Sequence, residues 1–176
     1  MKPDFLEILK SDSSRLTADI TTELIAGNPG FYDEVIDLSL VEKSPVNWRA
    51  ARVAVLSAEE YPELFVPHVN CIAKKFKSFQ CDGLKRSYAS LLAKYTTYMN
   101  DDSKRILIDT CFKYMLEDEK PAVKYNCMKV LFELSMIIPE IKSELAAVID
   151  FNISHGIFRM NGEIKKIYMA INLQIK

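Results

Sequence analysis

Apolar residues recur along this chain at helical spacing, in short stretches punctuated by Pro, Gly, Asn and Ser. Phe5, Leu6, Ile8 and Leu9 form the first cluster, closed by Ser11-Asp12-Ser13-Ser14. Leu16, Ile20, Leu24 and Ile25 predict the buried stripe of a second helix, capped by Ser14 or Thr17 and stopped at Gly27-Asn28-Pro29-Gly30. Phe31, Val35, Leu38 and Val41 suggest a third.

From there a longer period takes over. The stretches 47–56 (NWRAARVAVL), 83–92 (GLKRSYASLL) and 122–131 (AVKYNCMKVL) align, each with a large apolar residue, then Arg or Lys, then an aliphatic pair ending in Leu eight positions later. Trp48, Leu84 and Val123 open them, spaced as in repeats of helical pairs whose units bury their apolar faces by stacking on neighbours. The shared register predicts burial of Leu56, Leu92 and Leu131, with Val55, Leu91 and Val130 beside them. Trp48, Ala51, Val55 and Ala58 form the first pair's stripe, Ser44-Pro45 supplies its cap, and Pro67 fits the first turn of its second helix. Asn100-Asp101-Asp102-Ser103 suits the start of the second helix in the next pair. Pro121 and Pro139 mark the third, and residues 162–171 read as a degraded fourth copy.

The expectation is a single all-α domain over 1–176. It comprises a divergent N-terminal unit (1–43), repeats at about 44–79, 81–117 and 119–156, and a C-terminal capping helix (157–176). The pattern resembles the HEAT repeat. That resemblance implies a right-handed α-α superhelix, a HEAT/armadillo-like solenoid of about ten helices, with the second helix of each pair lining the concave face. Asn28-Pro29-Gly30-Phe31, Trp48-Arg49-Ala50-Ala51-Arg52-Val53 and Leu64-Phe65-Val66-Pro67-His68-Val69 make it similar to short bacterial HEAT-like proteins that sometimes carry the name adenylosuccinate lyase. The Ser-rich loop with Met-Pro-x-Lys-x-Asn that marks the lyase superfamily is missing, so the likeness supports the fold and not that activity.

Charge adds blocks of alternating sign to a net −1. Residues 1–66 hold six basic and twelve acidic side chains, 67–105 eight and three, 106–150 five and eight, and 151–176 four and one. A dedicated nucleic-acid binder usually has an overall basic excess. No run approaches a membrane span and the first residues include acids, which points to a cytoplasmic protein that does not use a membrane. The four cysteines lack metal-site spacing and read as reduced packing residues.

Candidate chemistry is sparse. His68 and His155 are the two histidines, each at a predicted helix end with no partner evident in the sequence, so no catalytic, cofactor-binding or metal-binding residue is assigned. Arg49, Lys85, Lys124 and Lys165 form a ladder at the repeat's cationic position. Such a cation commonly bonds an acid or carbonyl of the neighbouring unit. Lys74, Lys75, Lys77, Lys104 and Arg105 are the candidate partner-binding residues. These observations favour a non-catalytic protein-binding scaffold whose unidentified partner offers an acidic segment. The alternatives are a nucleic-acid-binding or DNA-repair-like HEAT protein, with the helical-repeat DNA glycosylases as its enzymatic form, and, more remotely, a lyase.

Overall fold

The computed structural model describes residues 2–175, and their regular structure is entirely helical. Ten α-helices run in chain order: α1 (Phe5–Ser11), α2 (Arg15–Gly27), α3 (Phe31–Val41), α4 (Val46–Glu60), α5 (Val69–Lys75), α6 (Asp82–Leu92), α7 (Asp101–Leu116), α8 (Pro121–Ser135), α9 (Lys142–Ser154) and α10 (Gly162–Ile175). Short 3-10 turns lie at Pro62–Leu64, Val66–His68, Phe76–Ser78, Ala93–Tyr98 and Pro139–Ile141. The fold class is the expected one, all-α and assembled from helical pairs in the manner of an α-α solenoid. Among the described residues no helix is long and apolar enough to cross a membrane.

Local chemistry explains most boundaries. Ser14 and Asn100 cap α2 and α7, each side chain accepting the backbone N–H three residues on, from Thr17 and Ser103. Pro121 occupies the first turn of α8, where a missing N–H costs nothing. Two expectations shift. Pro45 itself, not Ser44, is the residue preceding α4, and no side chain caps that helix. Pro67 lies in the 3-10 turn Val66–His68 that leads into α5, so the second helix of the first repeat begins later and is only seven residues long.

The packing resolves into two compact units. Among the described residues the first comprises 2–69 and 79–88, the second 70–78 and 89–175. In the first, α4 packs against α1, α2 and α3. Its fully enclosed face consists of small residues, Ala50, Ala51, Ala54, Ser57 and Ala58, with Val46 and Val53. Small side chains let three helices approach one, and this choice turns α4 away from the predicted register. Val55 and Leu56 are therefore only half-buried, as is Trp48, against the expectation. Tyr32 spans this core, its hydroxyl donating to the Ala54 carbonyl at 3.0 Å. Tyr88 is fully buried, its ring stacked on Phe65 at 6.4 Å and its hydroxyl hydrogen-bonded to that of Ser39.

Of the predicted stripe of α2, Ile25 is buried and Leu24 half-buried, but Leu16 and Ile20 face outward. The buried face of the helix is Ala18, Thr21, Thr22 and Ile25, while Leu16 is 68% and Ile20 45% exposed. Thr21 and Thr22 tolerate burial because their hydroxyls donate to the carbonyls of Thr17 and Ala18, at 2.7 and 3.0 Å. Val41, expected on the buried stripe of α3, is also exposed.

In the second unit α8 packs on α7, α9 and the turn Ala93–Tyr98, and α10 packs on α9. Here the repeat register holds: Leu91, Leu92, Val130 and Leu131 are all fully buried. Cys111 and Cys127 are buried side by side, and burial pushes the Cys111 thiol up. Cys71, by contrast, is exposed and not a packing residue.

Candidate functional site

The cationic ladder faces backbone carbonyls in two of its positions. In the first unit Arg49 donates through Nη1 to the carbonyls of Leu9 and Lys10, at 2.8 and 3.0 Å. These lie in the last turn of α1, where the helix dipole favours a cation. Arg52, one turn on, donates to the Ser13 carbonyl at 3.2 Å, so α4 grips the end of α1 and the approach to α2. Trp48 sits beside this grip, with the Arg49 guanidinium 5.6 Å from its ring centroid. In the second unit Lys124 is buried and donates through Nζ to the Met115 carbonyl at 3.0 Å. Asn152 donates to the same carbonyl at 3.1 Å. Lys85 is buried as well, whereas Lys165 is exposed. Burial withdraws Lys85 and Lys124 from any line of charge presented to a partner.

The structure brings three of the five candidate partner-binding residues together with acids. The side chain of Asn70 accepts the N–H of Asn100 at 2.9 Å, which sets α5 beside the first turn of α7. There Lys74 and Arg105 converge on the Asp102 carboxylate, at 2.7 and 3.1 Å. Lys74, and then Arg105, holds that carboxyl below its usual range. Lys104 pairs with Asp101 at 3.4 Å. Lys75 and Lys77 are exposed close by in sequence. Asp101 and Asp102 were legible as capping acids, but the spacing between α5 and α7 that makes them counterions was not.

The histidines do not meet. His68 Nε2 lies 2.9 Å from the exposed Asp33 carboxylate, its ring against Tyr32. His155 ends α9, with Nδ1 2.8 Å from the Phe151 carbonyl and its ring 4.1 Å from the Phe151 ring. Among the described residues no group of three or more His, Cys, Asp or Glu side chains could hold a metal ion.

The surface missed in the sequence is the outer side of α2. This helix is apolar on two opposite faces: one is the buried Ala18, Thr21, Thr22 and Ile25 set, the other Leu16 and Ile20 with half-buried Leu24. Beside the outer face an open groove of about 620 Å³ runs between α2 and α4. Four carboxylates line it, Asp19, Glu23, Glu59 and Glu60, with half-buried Leu56 and one cation, Arg15, held to Asp19 at 2.7 Å. Of the residues that failed to bury as predicted, Leu56 lines this acidic groove, and Leu16 and Ile20 lie on the helix that forms one of its walls. A second apolar surface lies on α10, where Met169 and Leu173 are exposed beside a hollow of about 260 Å³.

Compared with known proteins, the chain matches the family model of the HEAT repeat domain over residues 5–158. No curated protein and no solved structure matched it.

Proposed function

Because the chain belongs to the HEAT repeat domain family, we propose that it is a non-catalytic scaffold that binds another protein through its exposed helix faces. The observation that carries this reading is the second apolar face of α2, beside the carboxylate-lined groove. A helix that spends its small residues on the core and holds Leu16 and Ile20 in solvent has a surface that a partner's apolar side chains would dry. The acids around it select a partner with Lys or Arg at its rim. A basic amphipathic helix fits both demands.

The cluster of Lys74, Lys75, Lys77, Lys104 and Arg105 supports a second contact, with an acidic protein segment. Asp101 and Asp102 pair with Lys74, Lys104 and Arg105, which leaves few cations for the many phosphate contacts that nucleic acid needs and favours a short acidic segment. Fluorescence anisotropy at low salt separates the two. A labelled Leu/Lys amphipathic peptide should bind, while duplex and single-stranded DNA should not. Tight DNA binding with a steep salt dependence, and no peptide binding, would overturn the scaffold reading.

A further inference from the structure

The outer faces of α2 and α10 match one another. On α2, Leu16 and Ile20 stand one turn apart and are flanked by acids; on α10, Met169 and Leu173 stand one turn apart and follow Lys165 and Lys166. We propose that α10 of one copy of this chain docks antiparallel on the outer face of α2 of another, which rests on reading α2 as a binding surface. In that pairing Leu173 lies by Leu16, Met169 by Ile20, and the lysines, one turn before Met169, fall beside Glu23, one turn after Ile20. Opposed helix dipoles favour the same direction.

Charge decides against the symmetric arrangements. The α2 face is acidic through Asp19 and Glu23 and the α10 face basic through Lys165 and Lys166, so like faces carry charge of one sign while the mixed pair is complementary. A contact between two different faces leaves one of each free, so every copy can make two such contacts, which either close reciprocally in a dimer or continue into a larger assembly. Two helix faces bury less than the roughly 1,200 Å² of a standard stable interface, so the association is weak and needs concentrated protein.

Sedimentation equilibrium on the full chain, from micromolar to millimolar protein, tests this. The average mass should rise with concentration above that of the monomer and fall back in high salt. The variants L16D/I20D and M169D/L173D change exposed side chains, so circular dichroism should show both folded. Each should be monomeric alone, and an equal mixture should form a one-to-one pair that grows no further. A wild-type chain that stays monomeric throughout, a variant that still dimerises alone, or a mixture that does not pair would overturn the proposal. Retained binding of the Leu/Lys peptide in those cases would leave the scaffold reading standing, and so the two failures are distinguishable.

Discussion

The Lys124 ammonium donates to the carbonyl of Met115 at 3.0 Å, inside the second unit, where both residues are buried. Met115 lies in the last turn of α7, whose carbonyls lack helical partners, so a side chain from α8 completes the end of its neighbour. Lys124→Met keeps most of the aliphatic volume but removes the donor. It should cost about 1–3 kcal/mol in chemical denaturation, since Asn152 alone then serves the carbonyl. Combined with Asn152→Ala the losses should be non-additive, because the two donors share one acceptor.

Burial along the repeat register makes a graded prediction. Leu92 is fully enclosed, and Leu92→Ala should cost about 2–5 kcal/mol as a core cavity. Leu56 occupies the same repeat position but is half-buried on α4, so Leu56→Ala should cost about 1 kcal/mol, in proportion to the area lost. Equal losses in thermal and urea unfolding would contradict the placement of α4.

Gly83 marks a close approach inside the first unit. A Cβ built there would lie 2.9 Å from Cβ of Trp48, an atom with no rotamer by which to move aside. Gly83→Ala should therefore destabilise by about 1–3 kcal/mol despite the better helix propensity of Ala. Emission from the lone tryptophan should shift with it. Unchanged stability and emission would show that α6 can yield.

Two tyrosines should titrate late. Burial, chiefly, pushes Tyr114 up to about 12, and burial followed by the neighbouring Glu163 carboxylate does the same for Tyr125. Both folded values lie above the unfolded value of 10.0, so their stabilising contributions are complete below pH 10.0 and are lost as pH rises towards about 12. Glu163 has the opposite sign. Its carboxyl is lowered from 4.5 by the Tyr125 hydroxyl first and then by Lys129, so its contribution is present above 4.5 and disappears in acid. In a spectroscopic phenolate titration Glu163→Gln should bring one late tyrosine part of the way down, since burial remains. It should also flatten the acid limb of the stability curve.

Legibility in the sequence differed between the two units, for a physical reason. In α6 and α8 the repeat's largest aliphatics are its buried residues, so Leu91, Leu92, Val130 and Leu131 could be placed from spacing alone. In α2 and α4 most of the buried residues are Ala, Ser and Thr, whose small size serves close helix packing but gives a weak periodic signal. Leu16, Ile20 and Leu24 then supplied a stronger helical stripe on the opposite side. The caps at Ser14 and Asn100 depend on neighbours three residues away and were readable, whereas the meeting of Lys74 with Asp102 depends on the approach of two helices and was not.

Calorimetric titration of a Leu/Lys amphipathic peptide into the wild-type chain and into L16D/I20D, below the concentration of self-association, tests the binding role of α2 most directly. Binding to the wild type should saturate and weaken with salt, and it should be lost in the variant at unchanged helicity and unfolding temperature. Equal binding to both chains, or none to the folded wild type, would contradict that role.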